Sequence, residues 1–299
     1  MTIIIPMAGA SSRFIKEGYK PKYMLELKPG YTMFQAALES FKDFFDDAMF
    51  VFVTNSPDTT LWVEHELSTK MQLSTYKIVT LDSMTQGQAE TVYYGLTEAY
   101  ADIFIYEFIY ELDMYKNNSK FAAKYKYENL VVIFNIDTIR HNFKTDLDNW
   151  YKIFAKDSAH QGLYASDFAL FDAVYDETAD PSKWSFCDAD PYDEDKLLEI
   201  RCTAEKKKVG NWYSTGLYIF KNMSSYIATY KNAITHYSQL TKDNSPYNYY
   251  IAPLYNVFAN VHTNTFNRNI NYVLPCKRED VEFAGVPADY EALKKKYNS

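Results

Sequence analysis

Cysteine is scarce in this 299-residue chain: Cys187, Cys202 and Cys276 are all there is, and they lie far apart. They offer neither metal-ligand spacing nor an even disulfide set, which reads as reduced thiols in a cytoplasmic protein. Long apolar runs are missing too. No stretch reaches 18 residues, so no transmembrane helix and no membrane partner are expected. The N-terminus, MTIIIPMAGA, has no basic leader region and opens directly on a strand-like run, unlike a signal peptide. Positive charge is in deficit, with a net charge of −8. Non-specific nucleic-acid affinity comes from clustered Lys and Arg, so nucleic acid is not expected as a partner. A phosphate site here must be a local basic pocket in an acidic protein. Finally, His65, His141, His160, His236 and His262 belong to no motif, and no Ser/His/Asp or Cys/His constellation is visible.

What is present is ordinary globular composition, 47% hydrophobic and 23% charged. Tyr and Phe are abundant, 28 and 20, but an AT-rich genome favours both, so the counts alone define no site. Residues 2–6 (TIIIP), 49–54 (MFVFVT), 76–81 (YKIVTL) and 130–135 (LVVIFN) are short apolar runs suited to strands buried on both faces. Helical spacing separates them at 33–45, at 58–71 with Leu61, His65 and Leu67 towards one side, and at 86–100. This alternation predicts an α/β fold with a doubly wound, mostly parallel sheet and right-handed crossovers. After Asp137, strand-like runs at 162–176, 183–187, 197–202 and 214–220 crowd together, which predicts a small antiparallel extension. Ser245-Pro246 suits a helix start, and Pro253 a kink in the segment after it. No linker or repeat is visible. The expectation is one domain over 1–299, with halves at 1–140 and 141–299 and a C-terminal cap in the second. Residues 101–128 read as an insertion whose helical stripe (Ile105, Phe108, Ile109, Leu112) either packs on its own domain, forms a homodimer contact or covers the site.

The first connection carries the strongest chemical signal. IIIPMAGASSRFIKEGYKPKYMLEL (3–27) is a buried strand, a small-residue loop, then Arg13 and Pro21-Lys22. In open α/β sheets ligands bind beyond the carboxyl edge of the strands, where this loop lies. Gly9 permits unusual backbone angles, successive N–H groups form an anion-binding concavity, Arg13 supplies a fork for phosphate oxygens and Lys22 a mobile point charge. The GK[ST] ending of a P-loop and the dinucleotide G-x-G-x-x-G are both absent.

The stretch resembles the signature of the sugar-phosphate nucleotidylyltransferases, or pyrophosphorylases, of capsule and lipopolysaccharide synthesis: A-G-x-G-[TS]-R, then Pro-Lys. Here it reads Ala8-Gly9-Ala10-Ser11-Ser12-Arg13, with Pro21-Lys22 following and Ser11 where the family has glycine. The resemblance implies a Rossmann-like fold of the nucleotide-diphospho-sugar transferase type. It also implies that the loop holds the nucleotide phosphates, with Arg13 and Lys22 on their charges. SMTQGQAETV (83–92) resembles the segment in which Gln86 and Gly87 would meet the base. FNIDT (134–138) ends in Asp137, where the family keeps a Mg²⁺ ligand, a role that suits a carboxylate beside a triphosphate. AEKKKVGNWYSTGLYIF (204–220) resembles the acceptor pattern, with Glu205 on hydroxyls and Lys206 on the acceptor phosphate, and with Ser214-Thr215-Gly216 replacing Asn-Ala-Gly. EFAGVPADYEAL (282–293) resembles the terminal segment, but Phe283 stands where some members have a second metal Asp, leaving Glu282 or Asp280 as the candidate.

The implied reaction joins an NTP to a sugar- or polyol-phosphate and releases pyrophosphate. Arg13, Lys22 and Lys206 are the candidate catalytic cations. Ala8, Gly9, Ala10, Ser11, Ser12, Gln86 and Gly87 are expected at the nucleotide, and Glu205, Lys206, Thr215 and Gly216 at the acceptor. PKYMLEL resembles a run of the cytidylyltransferases and also of sugar-nucleotide enzymes of capsule and lipopolysaccharide synthesis; CTP is the favoured donor, with UTP, dTTP and GTP as alternatives. Two other readings stand beside this one. The first is a glycosyltransferase with Asn135-x-Asp137 as a variant metal motif; the second is a non-catalytic nucleotide-binding domain, suggested by Ser11, Thr215 and Phe283.

Overall fold

A computed structural model describes residues 1–101, 127, 129–161, 167–240, 249–260 and 269–299. The chain opens with β1 (Thr2–Pro6), the short α1 (Ser12–Lys16), β2 (Glu26–Lys28), β3 (Tyr31–Thr32) and α2 (Met33–Glu39). Then come β4 (Met49–Thr54), α3 (Pro57–Lys70), β5 (Tyr76–Thr80) and α4 (Gln88–Ala99). Past the insertion lie β6 (Val131–Phe134), β7 (Thr138–Arg140), α5 (Phe143–Gln161), β8 (Phe168–Tyr175), β9 (Ser185–Asp188), β10 (Cys202–Glu205) and β11 (Trp212–Phe220). The chain closes with α6 (Met223–Leu240), α7 (Leu254–Phe258), β12 (Ile270–Pro275), β13 (Val281–Phe283) and α8 (Pro287–Tyr297).

The predicted parallel set is the spine of one sheet. β5, β4, β1 and β6 lie side by side, all parallel, with Ile3 paired to both Phe50 and Val132. Order reverses between β1 and β6, which creates the crevice where such sheets bind ligands. Side chains alternate across the sheet. Ile4, Val51, Val53, Val131 and Ile133 pack with α4, α6 and α7 on one face. Ile3, Ile5, Phe50, Phe52, Val132 and Phe134 pack with α2, α3 and α5 on the other. Burial on both faces explains why these strands read as unbroken apolar runs.

The antiparallel extension is built on β11. Along one edge it pairs with β8, which in turn pairs with β12 in parallel. Along its other edge it changes partner: Trp212 and Tyr213 meet β9, whereas Leu217 to Phe220 meet β6. The change falls at a register shift between Ser214 and Tyr218. β10 then pairs with β9, completing the extension.

Several boundaries differ from the sequence expectation. The 33–45 helix ends at Glu39, where the Ser40 and Phe41 N–H groups turn to the carbonyls three residues back, Ala37 at 3.3 Å and Leu38 at 2.9 Å, and a 3₁₀ turn follows at Lys42–Phe44; the Ser40 hydroxyl accepts from the Arg140 N–H at 2.9 Å. In α3 the inward stripe is Thr59, Val63, Glu66 and Leu67; Leu61 and His65 face solvent, since they lie off that 3.6-residue stripe. The strand expected at 197–202 starts at Cys202. Pro253 precedes α7 rather than kinking a helix, consistent with its missing N–H donor. The Ser245-Pro246 helix start, residues 162–166 and the insertion stripe of Ile105, Phe108, Ile109 and Leu112 lie outside the described residues. No helix among the described residues is long and apolar enough to cross a membrane.

Candidate active site

The loop after β1 is held from both sides. The Met7 N–H donates to the Val53 carbonyl at 2.7 Å, and Asn55 Nδ2 donates to the Ala8 carbonyl at 2.9 Å. Its left-handed residue is Ser11, with φ 47°, and not Gly9, around which a side chain would meet nothing within 4 Å. Serine therefore adopts a conformation that glycine takes freely, at a cost of about 1–2 kcal/mol. That strain opens α1 with Ser12 and Arg13 facing the crevice. The Lys22 N–H reaches Ser11 Oγ at 3.4 Å, tying the Pro-Lys turn to the loop.

Lys22 and Asp137 meet directly, Nζ to Oδ2 at 2.7 Å. Asp137 leaves the carboxyl end of β6 in a turn fixed by two backbone bonds: Asn135 N–H to the Gly216 carbonyl at 3.0 Å, and Ala284 N–H to the Asp137 carbonyl at 2.8 Å. Two glycines shape its surroundings. A Cβ at Gly285 would stand 3.7 Å from Asp137 Oδ2, and one at Gly216, whose φ is +88°, would stand 2.8 Å from Asn135 Nδ2.

The opposite wall comes from the antiparallel extension. Ser185 donates to Glu205 Oε2. Burial raises the Glu205 carboxyl above its ordinary value, while Ser185 and the nearby Lys206 pull it down. Lys206 is left-handed at φ 51°, its N–H donates to the Trp184 carbonyl at 3.0 Å, and its ammonium stands 5.6 Å over the Tyr250 ring. Trp184 packs against Phe283 with centroids 4.4 Å apart.

These groups line one cavity of about 580 Å³. Ser11, Ser12, Arg13, Lys22, Asp137, Glu205, Lys206, Thr215 and Gly216 all reach it. Ala8, Gly9 and Ala10 do not line it; Ala8 is buried, and Gly9 and Ala10 face solvent. Gln86 and Gly87 do not line it either. Gln86 faces a second cavity, about 670 Å³, between β5 and α4, where its N–H donates to Glu90 Oε2 at 2.6 Å. At Gly87 a Cβ would strike Tyr249 at 2.2 Å, so this glycine serves a close backbone approach. The side chain that enters the main cavity from that segment is Gln88, donating to Asn135 Oδ1.

The candidate second metal ligands point elsewhere. Glu282 pairs with His141 at 2.7 Å and Lys296 at 3.1 Å, and Asp280 accepts from Asn142 at 2.8 Å. Strand alternation in β13 turns Phe283, not Glu282, to the cavity. The second carboxylate that lines it near this segment is Asp289, in the first turn of α8. Two carboxylates, Asp137 and Asp289, on a cavity that also holds Arg13 and Lys22 suit Mg²⁺, which takes few carboxylates and completes its shell with phosphate oxygens and water. No group of three or more His, Cys, Asp and Glu side chains placed to hold a metal ion occurs among the described residues.

Gln88, Lys183, Trp184, Tyr250 and Asp289 are cavity residues that the sequence reading missed, and Asn135 entered it only in the alternative metal motif. Gln88 and Asn135 lay inside quoted motifs, one or two positions from the residues chosen. Lys183, Trp184 and Tyr250 come from loops, where no periodicity marks a side chain.

A solved structure of the nucleoside-diphosphate-sugar pyrophosphorylase from Vibrio cholerae RC9 is 31% identical to this chain, covering 98% of it and 99% of the other, with a TM-score of 0.69. The chain belongs to the nucleoside-diphosphate-sugar pyrophosphorylase family. As a pyrophosphorylase-family member it is a nucleotidyltransferase of the sugar-phosphate kind, as the opening motif implied. More distant pyrophosphorylase-like structures share the fold. An apo UDP-glucose pyrophosphorylase is 14% identical over 99% of this chain and 97% of its own, TM-score 0.59. An inositol-1-phosphate CTP transferase from T. maritima is 16% identical over 100% and 96%, TM-score 0.58. No protein-family model and no curated protein matches the sequence.

Proposed function

We propose that this enzyme transfers a nucleotidyl group from CTP to a sugar- or polyol-phosphate for surface polysaccharide synthesis, releasing pyrophosphate. The observation that carries the reading is the convergence of Arg13, Lys22 and Asp137 with Glu205 and Lys206 on one cavity beyond the β1 and β6 edge. CTP is favoured by the PKYMLEL run and by the CTP transferase among the structural neighbours; UTP, dTTP and GTP are the other donors to test. In the same reading, residues 1–140 hold the nucleotide and 141–299 the acceptor and cap.

An oxygen of the acceptor phosphate attacks the α-phosphorus in line, the bond to the β-phosphate bridging oxygen breaks, and pyrophosphate leaves. The nucleophile is already anionic at neutral pH, so no general base is needed, and neither described histidine side chain, His65 or His141, lines the cavity. Catalysis then rests on positioning and on charge neutralisation. Arg13 and Lys22 act on the triphosphate and Lys206 on the acceptor phosphate. The Ser11 turn aims backbone N–H groups at the anion, and Glu205, with Ser185, accepts from acceptor hydroxyls. Asp137, with Asp289 nearby, would hold Mg²⁺, which supplies neutralisation of triphosphate charge when bound.

The test is pyrophosphate release with Mg²⁺ across CTP, UTP, dTTP, GTP and ATP against a panel of sugar and polyol phosphates. Release that needs one NTP and one acceptor is expected. Nucleotide binding with no release from any pair would instead favour a non-catalytic binding domain, and a preference for another NTP would overturn CTP.

A further inference from the structure

Thr215 lines the acceptor cavity, yet its side chain turns the other way. Only 1% of the residue is exposed, and its hydroxyl donates to Asp172 Oδ2 at 2.5 Å. Asp172, on β8, is wholly buried and bound by two donors of Arg140, Nε and Nη2, each at 3.0 Å. Arg140 is also wholly buried; its remaining donors reach Asp146 Oδ2 at 2.7 Å and the His141 carbonyl. Nothing in the reaction uses these charges, and a buried ion pair is a poor source of stability in itself. Such groups more readily fix one arrangement among several.

The place they fix is the stretch of β11 where its partner changes from β9 to β6. There the strand is bulged and lacks a continuous ladder on the cavity side. Thr215 is fastened at three points instead. Its hydroxyl binds Asp172, its Oγ1 also accepts from the Leu217 N–H at 3.3 Å, and its carbonyl accepts from Thr138 Oγ1 at 3.1 Å. Thr138 follows Asp137, and the neighbouring Gly216 carbonyl accepts from the Asn135 N–H at 3.0 Å. One buried network therefore fastens both the acceptor strand and the turn that carries Asp137.

We propose that Arg140, Asp172 and Thr215 are positioning residues that set the acceptor-facing backbone at 214–216 against Asp137, so that the acceptor phosphate lies in line with the α-phosphorus. The family resemblance puts alanine at the Thr215 position, so the hydroxyl clamp is a property of this chain's own Ser-Thr-Gly. The proposal rests on the cavity being the nucleotidyl-transfer site.

The experiment compares Thr215→Val, which keeps the shape and removes the donor, with Thr215→Ser, which keeps the donor. Steady-state kinetics are read with the NTP and acceptor pair found in the release panel. Losing one buried hydrogen bond to a charged group is worth about tenfold. Thr215→Val should raise the acceptor KM or lower kcat about tenfold, with the NTP KM within about twofold of wild type. Thr215→Ser should restore both, and Asp172→Asn should resemble Thr215→Val if it folds. A Thr215→Val enzyme with normal acceptor KM and kcat, or one that merely melts earlier, overturns the proposal, as does a Thr215→Ser enzyme equally impaired. A wild-type protein that releases no pyrophosphate from any pair overturns the functional reading, and the positioning role falls with it.

Discussion

Lys22 and Asp137 are the two opposite charges placed closest together in the cavity. Removing one partner of a half-buried pair leaves the other without compensation, and in this reading also takes a cation from the triphosphate. Lys22→Ala should therefore lower kcat/KM by about 10²–10³-fold, while thermal melting moves by only a few degrees. Near-normal turnover in that variant would remove Lys22 from the machinery. Glu205 answers to pH in a way fixed by its burial. The folded protein holds the Glu205 proton more tightly than the unfolded chain does, because its carboxyl is raised. The charged form thus weakens the fold as pH rises through the ordinary carboxylate range to the raised value, and has no effect below it. Glu205→Gln should melt above wild type at neutral pH, with the advantage fading as pH falls below that range, and should raise the acceptor KM. Melting curves that stay parallel at every pH would contradict this.

Among the elements, β11 brings Ser214, Thr215, Gly216 and Tyr218 to the cavity. Gly216 at its bulge has a left-handed φ and stands against Asn135. Gly216→Ala should cost about 1–3 kcal/mol, read as a lower denaturant midpoint, and should impair turnover by pushing Asn135 from Gln88. The strands that carry the site were legible because each is buried on two faces, which leaves a continuous apolar run. The edges were less so. Helix 33–45 tightens to i−3 bonding at Ser40, whose hydroxyl is held by the Arg140 N–H a hundred positions away, a contact that no local pattern encodes. Likewise Glu282 was adjacent to the right position in sequence but on the wrong side of β13, its carboxylate taken by His141 and Lys296. The loop signature foretold Arg13 and Lys22 at the cavity. It also named Gly9 as the conformational residue, although the left-handed turn falls on Ser11.

For the whole molecule, a net charge of −8 coexists with Arg13, Lys22, Lys183 and Lys206 around one cavity. Binding an NTP there should stabilise the native state by about 2.7 kcal/mol at a hundredfold excess over Kd, seen as a rise of several degrees in melting temperature. The nucleotide that gives the largest shift should be the one that supports pyrophosphate release. A shift that is equal for all five NTPs would mean that the base is not read at all. The parallel spine and the antiparallel extension were both foreseen from run spacing, whereas the crossing from one to the other through a partner change in β11 was not, since pairing depends on the whole sheet. That crossing has a further consequence. Between β8 and β11 the chain makes an excursion through β9 and β10 whose two ends are joined by a backbone hydrogen bond, Asp176 N–H to the Asn211 carbonyl at 2.8 Å. The excursion supplies Lys183, Trp184, Ser185, Glu205 and Lys206 to the cavity, while Ser11, Ser12 and Arg13 come from the β1 loop. It is thus a cassette with a closed stem. Under the proposed function, exchanging it changes the acceptor wall and leaves Ser11, Ser12 and Arg13 in place.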